Sequence, residues 1–389
     1  MAPGLFSVPG FRGAAVSAGI KASGRPDLAL IVADRPLACA GVFTTNAAAA
    51  APVALARETL AQHELIRAVV INSGNANALT GPRGRADARA MKDAVERWVG
   101  APALVLSTGV IGVPLPLEAV LVGIERAAGA LRPGAEDAVA HAILTTDTRP
   151  KTASTTFVFD GRDHRVGGVA KGSGMIHPHM ATMLAVMATD APVTPAALRA
   201  LTPDVVDRSF HEISVDGDTS TNDAVLVLAP PAASGPSPAG LQEAFTRVAQ
   251  DLARQIVEDG EGATRVMEVR VRGLPRAEDA RRVARTIATS SLVKTALAGG
   301  DPNWGRILAA AGRAGVAFGL EDVSLTIAGI DVFRAGGPLP FDVAALRAAV
   351  HTASFLVVLD FGGEGGGTAR MLTSDLTRRY VEINADYTT

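Results

Sequence analysis

Lys171-Gly-Ser-Gly-Met-Ile-His-Pro-His-Met-Ala-Thr182 leads directly into Met183-Leu-Ala-Val-Met187. The glycines and the proline forbid a regular element over the first part, and the apolar run that follows reads as a short buried strand. Thr182 stands at the junction. Taken alone it is a β-branched residue opening a strand. If the Ala181–Thr182 bond were cut, the freed α-amino group, with an ordinary pKa of roughly 7.7–8, could serve as base for the threonine's own hydroxyl.

Outward from this junction, strand-like runs lie at Leu28–Val32, Arg67–Ile71, Ala103–Leu106, Thr155–Phe159, Met183–Met187, Ala224–Leu228, Arg265–Val271, Val323–Ile327 and Phe355–Asp360. Helical patterns cover Ala54–Leu65, Arg85–Val99, Leu117–Ala130, Ala135–Leu144, Pro195–Phe210, Gly240–Glu258, Arg276–Ile287, Trp304–Ala311 and Ala344–Ser354. Pairs of strands with no helix between them argue against a doubly wound parallel sheet. The expectation is a mixed α/β (α+β) sandwich, sheets inside and helices outside, without internal repeats.

Several other short blocks are too polar for their apolar surroundings: Asn72–Asn77, Ser107–Gly112, Thr145–Lys151, Asp216–Asp223, Gly260–Thr264, Asp301–Arg306 and Ile383–Thr389. Any one of them reads as a tight turn; together they point to strand ends that build a site. Familiar chemistries do not fit. His177-Pro-His179 lacks the further Cys or His-Glu-x-x-His context of a zinc site, so no metal is expected. The acids of Asp216–Asp223 lack the glycine and glutamate of a calcium loop. No phosphate-binding glycine loop and no Gly-x-Ser-x-Gly elbow occurs. Cys39 sits in an apolar run and reads as a buried thiol. Hydroxyl chemistry is what remains.

Composition narrows the class further. The 389 residues carry 37 basic and 39 acidic side chains, a net charge of −2, and 48% hydrophobic residues. Such a chain has ample apolar surface for a core and no basic footprint for nucleic acid. One cysteine excludes a disulfide scaffold, no apolar run is long enough to span a membrane, and the start lacks a signal-peptide pattern, so a soluble cytoplasmic protein is expected. Lysine occurs only at 21, 92, 151, 171 and 294, arginine supplying the other basic residues. Where lysine persists against that bias, a compact ammonium is the natural reason; for Lys21 and Lys92 chance suffices.

The Lys171-Gly-Ser-Gly-Met-Ile and Met-Ala-Thr-Met-Leu184 segments resemble the self-cleavage and nucleophile motif of the arginine-biosynthesis ornithine acetyltransferases, the glutamate N-acetyltransferase or bifunctional ArgJ family. The resemblance begins at Gly10-Phe-Arg12 and Ala18-Gly-Ile-Lys21, passes Gly41–Asn46, Val293-Lys-Thr295 and Asp301–Arg306, and ends at Ile383–Thr389. It implies a self-processing, N-terminal-nucleophile-like fold shared with related aminopeptidases. It implies cleavage at Ala181–Thr182 into an α chain, 1–181, and a β chain, 182–389, which form one intertwined catalytic unit, two of each in a heterotetramer. Thr182 would take the acetyl group of N-acetylornithine and pass it to glutamate, with Thr108 and the Gly109 N–H as oxyanion donors; glycine there would let backbone approach the oxyanion. Substrate contacts would fall to Thr145, Lys171, Thr182, Glu261, Asn384 and Thr389. Lys171 would neutralise the substrates' common α-carboxylate and Glu261 would bind the ornithine ammonium. The resemblance implies no cofactor, acetyl-CoA being a second donor substrate in bifunctional members. Lys151 and Lys294 receive no role, and Asp216–Asp223 and Asn303–Arg306 are expected to brace the site.

The chain departs from the family at Ala47–Ala51, where basic residues are usual, and at Met371–Leu376. Three alternatives stand beside the reading: an aminopeptidase of the related fold using water as acceptor, a paralogous acetyltransferase of specialised metabolism, and a non-catalytic small-molecule binder.

Overall fold

The computed structural model describes residues 3–177 and 183–386. The chain divides into two compact units, one built mainly from residues 1–211 and 218–256 and the other from 212–217 and 257–387. Each contains one mixed sheet with helices packed on it, so the mixed α/β expectation is borne out.

The first sheet contains β1 (Phe11–Val16), β2 (Leu28–Phe43), β3 (Leu65–Asn75), β4 (Ala103–Val110), β5 (Lys151–Phe159), β6 (Arg162–Lys171) and β7 (Leu184–Thr189); β8 (Ile213–Ser214) belongs to the second unit, and β9 (Ala224–Ala229) completes the first sheet. The strand order is β4-β3-β2-β9-β7-β6-β5. The long β2 organises this order. Its first half pairs with β1 and its last six residues with β9 on the same edge, while β3 runs along the other edge. The register slips between Val32 and Leu37, where Asp34-Arg35-Pro36 interrupts the apolar run; proline cannot donate to a ladder.

Alternation along β2 sends Ala29, Ile31, Ala33, Leu37 and Cys39 into one core and Leu28, Leu30 and Val32 into another. The sheet is therefore buried on both faces, which explains why its strands read as continuous apolar runs. α1 (Ala51–Gln62), α4 (Glu136–Ala142) and the turn Leu5–Ser7 contribute to the first core; α2 (Gly81–Val99) and α3 (Leu117–Gly129) contribute to the second. α5 (Pro195–Asp207) starts on Thr194, whose hydroxyl accepts from the Ala197 N–H, with Pro195 in the first turn. α6 (Leu241–Glu258) packs Val248 and Leu252 close to Gly168 of β6.

The second sheet is ordered β13-β12-β11-β14-β10-β15-β8, from β10 (Val266–Leu274), β11 (Ser324–Ile327), β12 (Ile330–Arg334), β13 (Gly337–Pro338), β14 (Ser354–Asp360) and β15 (Gly367–Ser374). Here β10 alternates: Met267, Val269 and Val271 enter a core with α7 (Ala277–Ala288), α8 (Ser291–Ala298) and α9 (Trp304–Gly312), while Glu268 and Arg270 pair on the opposite face. α10 (Val343–Val350) adds Leu346 and Val350 to that core, and α11 (Arg378–Asp386) closes the described chain.

The 181/182 boundary read from the sequence falls inside the first unit. β6 precedes it, β7 follows it, and the two strands pair antiparallel from Val166 with Thr189 to Lys171 with Leu184. β6 itself escapes a reading by pattern because Gly167 and Gly168 interrupt its apolar run. A Cβ on Gly167 would lie 2.2 Å from the carbonyl oxygen of Gly4, so the glycine marks a close backbone approach rather than a turn.

Candidate functional site

The parallel strands β3 and β4 end side by side, and their polar blocks lie at those ends. Asn72, Ser73 and Ser107 are all buried. Ser107 Oγ donates to Asn72 Oδ1 at 2.5 Å, and Asn72 Nδ2 donates to Asn75 O at 2.8 Å. Asn222, arriving from the segment before β9, donates through Nδ2 to Ala76 O at 2.6 Å and Ser107 O at 2.9 Å. These bonds satisfy polar groups that burial would otherwise leave at a cost of about 1–3 kcal/mol each. They also hold the last turn of β4, which presents Thr108 and Gly109. Of the Asp216–Asp223 block, Asn222 is the residue that makes these bonds.

Gly109 has φ +131°, and a Cβ on it would meet Gly74 C at 2.3 Å and Asn75 N at 2.5 Å. The neighbouring strand's backbone excludes any side chain here.

Lys171, the last residue of β6, is 1% exposed and brings the separate blocks together. Its Nζ donates to Thr145 Oγ1 at 2.8 Å and to Thr108 Oγ1 at 3.3 Å, and lies 3.6 Å from Asp147 Oδ2. Three residues carried over from the resemblance, Thr108, Thr145 and Lys171, thus converge on one ammonium. Asp147 was not singled out by sequence reasoning. Its side chain is fully buried; Oδ1 accepts from Lys151 Nζ at 2.7 Å and from the Gly172 N–H at 2.6 Å, and Oδ2 accepts from the Thr145 N–H at 3.1 Å. Burial alone would raise its pKa, but the Lys171 and Lys151 ammonium groups and these hydrogen bonds together hold it well below the usual carboxylate range. The only signal in the sequence is an acid four residues before one of five lysines, inside a threonine-rich block.

Lys21 lies within electrostatic reach of this group. Burial lowers its pKa to about 8; Lys171 acts in the same direction, and Asp27 opposes both. Its Nζ donates to Ala142 O at 3.3 Å, and the loop that carries it is tied down by Asp27, which accepts from the N–H groups of Ala18, Ile20 and Lys21. Lys92 is an ordinary helix-surface lysine, 2.7 Å from Glu96 one turn on.

Ala181, Thr182 and Thr389 lie outside the described residues. Met183 is within them, and its N–H donates to Asp223 Oδ1 at 2.8 Å. Asp223 is fully buried. Burial pushes its pKa well above the ordinary carboxyl range against the pull of the Met183 N–H and Lys171. Thr44 lies against the carboxyl but gives its proton to Ser220 O at 2.6 Å, so Asp223 Oδ2 has no hydrogen-bond partner among the described residues.

In the second unit, Asn384 on α11 donates through Nδ2 to Glu261 Oε2 at 2.7 Å, so these two carried-over residues also meet. Gly262 makes that possible: its φ is +67°, and a Cβ would sit 2.7 Å from Tyr380 N. Thr377 Oγ1 donates to Gly262 O at 2.8 Å, and Asp375 accepts from Thr264 and the Arg265 N–H, fixing the segment that leads into the helix. Lys294, 3% exposed, donates to Thr373 Oγ1 at 2.8 Å and to the carbonyl of Ser374. Asn303 caps α9 by accepting from the Arg306 N–H at 3.1 Å, a structural role. Among the described residues no helix is long and apolar enough to cross a membrane.

The ArgJ family model matches residues 12–389. A protein of Thermus thermophilus named arginine biosynthesis bifunctional protein ArgJ is 49% identical over 383 residues, 98% of each chain. The protein of that name from Nitratidesulfovibrio vulgaris is 48% identical over 389 residues, 98% of this chain and 99% of its own. Among solved structures, the ArgJ protein of Bacillus halodurans is similar at 35% identity and TM-score 0.48, covering 51% of this chain and 96% of that one. The ornithine acetyltransferase of Mycobacterium tuberculosis, solved with ornithine, is similar at 41% identity and TM-score 0.42, covering 45% and 95%. With a family model spanning nearly its whole length and full-length relatives close to half identical, the chain belongs to the ArgJ family.

Proposed function

We propose that this chain transfers the acetyl group of N2-acetyl-L-ornithine to L-glutamate in arginine biosynthesis, by way of an acetyl-threonine at position 182. The observation that carries the reading is full-length similarity, at 46–49% identity, to proteins named arginine biosynthesis bifunctional protein ArgJ. The buried meeting of Thr108, Thr145 and Lys171 supports it, because an acyl transferase needs hydroxyl and amide donors held in a site that excludes water.

In this mechanism the chain first opens between Ala181 and Thr182. Thr182 Oγ attacks the preceding carbonyl carbon, the peptide C–N bond breaks as the nitrogen takes a proton, and water hydrolyses the resulting ester. The same Oγ then attacks the acetyl carbon of N-acetylornithine. The Thr108 hydroxyl and the Gly109 N–H stabilise the oxyanion, and one such donor typically changes kcat by about 100- to 1,000-fold. Ornithine leaves with a proton, glutamate's amine attacks the acetyl-enzyme, and N-acetylglutamate leaves, a ping-pong sequence. The excess of Lys21, Lys151 and Lys171 over Asp147 supports binding of the α-carboxylate that both amino-acid substrates carry. The Glu261–Asn384 pair supports recognition of the ornithine ammonium, with Thr389 contributing at the chain's end. Acetyl-CoA serves as a second donor, no cofactor takes part, and two α and two β chains assemble in the cytoplasm.

The test combines a gel with an assay. Purified protein should run as two chains that together account for 39.8 kDa, Thr182→Ala should run as one, and N-acetylglutamate should form from N-acetylornithine and, separately, from acetyl-CoA. Splitting of Thr182→Ala at the same bond refutes the cleavage mechanism; no product with either donor refutes the transferase.

A further inference from the structure

We propose that Asp147 is a positioning residue for the hydroxyl of Thr108, acting through the ammonium of Lys171. The proposal rests on the acetyl-transfer reading above, in which the Thr108 O–H is one of the two oxyanion donors.

The argument starts from proton counts. An ammonium has three N–H donors and no acceptor. Lys171 gives one to Thr145 Oγ1 and one to Thr108 Oγ1, and its third side faces Asp147 Oδ2. Both hydroxyls therefore accept from Lys171, and each keeps its own proton for a different acceptor. For Thr108 that acceptor is the developing oxyanion. A donor whose oxygen already accepts from a cation is polarised and gives a stronger hydrogen bond, by about 10–30%.

The arrangement holds only while Lys171 is charged. A neutral amine has two N–H groups and a lone pair. That lone pair would accept from a neighbouring hydroxyl and draw the Thr108 proton inward, away from the reacting carbonyl. Lys171 is 1% exposed, and burial disfavours an ammonium whose partners are only neutral hydroxyls. The counter-charge is Asp147. Its carboxyl is clamped by three groups that are not Lys171: the N–H groups of Thr145 and Gly172 and the Lys151 ammonium. Gly172 directly follows Lys171 in sequence, so the same carboxylate fixes both the backbone and the charge at this end of β6. Lys151 has a role in this scheme as well. It holds Asp147 ionised without touching Thr108. Among the described residues, Asp223, ahead of β9, and Lys21, in the loop after β1, also act on Lys171.

The experiment is a double-mutant cycle on kcat for acetyl transfer from N-acetylornithine to glutamate, using the full chain. Asp147→Asn keeps the size of the group and removes its charge. Its kcat should fall about 100-fold, as expected for loss of one oxyanion donor. Thr108→Val should cost a similar factor. If Asp147 acts through Thr108, adding Asp147→Asn to Thr108→Val should lower kcat by less than about threefold more. A purely structural role would lower both backgrounds equally, and additive losses, or an Asp147→Asn enzyme with wild-type kcat, overturn the proposal. If Asp147→Asn does not fold, Asp147→Asn/Lys151→Met removes one charge of each sign from the same site and is put through the same cycle, with the same outcomes deciding. A wild-type enzyme that forms no N-acetylglutamate defeats the acetyl-transfer reading instead, and the two failures are told apart by that control.

Discussion

Replacing Gly109 by alanine tests whether the end of β4 is shaped by its neighbour or by the reaction. The built Cβ falls 2.3 Å from Gly74 C, 2.5 Å from Asn75 N and 2.6 Å from Gly74 Cα, all backbone atoms of β3. Ordinary contact begins at 3.4 Å, so one strand must retreat by about 1 Å, which no rotamer change can supply. Overpacking of that kind costs about 1–3 kcal/mol. The backbone adds a further 1–3 kcal/mol or so, because φ +131° is a region L-residues rarely occupy. The total, about 2–6 kcal/mol, lies mostly below the roughly 5–15 kcal/mol that stabilises a typical domain, so Gly109→Ala should fold, with Tm lowered by about 5–20 °C. The same displacement moves the Gly109 amide, and kcat for acetyl transfer should fall at least 100-fold. Gly112→Ala is the control. It also has positive φ, +78°, but nothing lies within 4 Å of its Cβ, so it should lose about 1 kcal/mol and keep its kcat. Thermal melts and steady-state kinetics on the three proteins decide the matter. A Gly109→Ala enzyme within about 2 °C and threefold of wild type would show that β3 and β4 do not constrain each other as described.

Other perturbations probe the two units separately. Burial lowers the pKa of Lys294 from 10.5 to about 8, Asp216 and Asp375 opposing. The unfolded chain therefore binds more protons than the folded one between about pH 8 and 10.5. The cost of the buried charge is fully present below that window and is relieved as pH rises through it, by on the order of 3 kcal/mol. Urea unfolding should show stability rising across the window in the wild type and much less in Lys294→Met, half-exposed Lys21 supplying a smaller slope of the same sign in both; equal slopes would remove Lys294 from the account. Cys39 is 4% exposed, with its thiol pushed up to about 12 by burial. It should resist iodoacetamide at pH 8 in the folded protein and take up one equivalent after unfolding, and native labelling at free-thiol rates would contradict its placement.

Much of this fold is legible where pattern and burial agree. β2, β4, β9 and β10 follow from apolar runs or alternation, and α2, α3 and α7 from helical spacing. β1 and β6 are not legible by the same means. Gly13 lies against the ring of Phe6 and the Cβ of Ala135, and Gly167 against the Gly4 carbonyl, so these glycines serve tertiary contacts that the strand pattern does not announce. α11 is short, polar on average and buries none of its residues, so no core-facing stripe reveals it. Of the polar blocks, those holding Thr108, Thr145 and Lys171 come together, and their meeting point depends on Lys171 at the end of β6 reaching Thr108 on β4 and Thr145 before β5. Asp147 is hidden for a related reason: in sequence it is one acid in a turn, and only the approach of two buried lysines makes it structural. The lysine bias was the best available clue, since Lys151, Lys171 and Lys294 are all buried where a guanidinium would need more room.

The placing of β9 also fixes an order of events. A ribosome delivers β1 to β7 first, yet β2 and β7 remain apart until residues 224–229 emerge and slide between them. The strand enters the sheet with Asp223 and Asn222 immediately ahead of it, and these supply the acceptor for the Met183 amide and the two donors that brace Ala76 and Ser107. The last strand to join the sheet thus brings the last pieces of the site. A nascent chain halted short of residue 222 has neither, so the Met183 amide and the carbonyls of Ala76 and Ser107 lack these partners until the sheet is closed. The long sequence separation between β2 and β9, a feature that slows folding, makes closure of the first sheet a late step in the chain's folding.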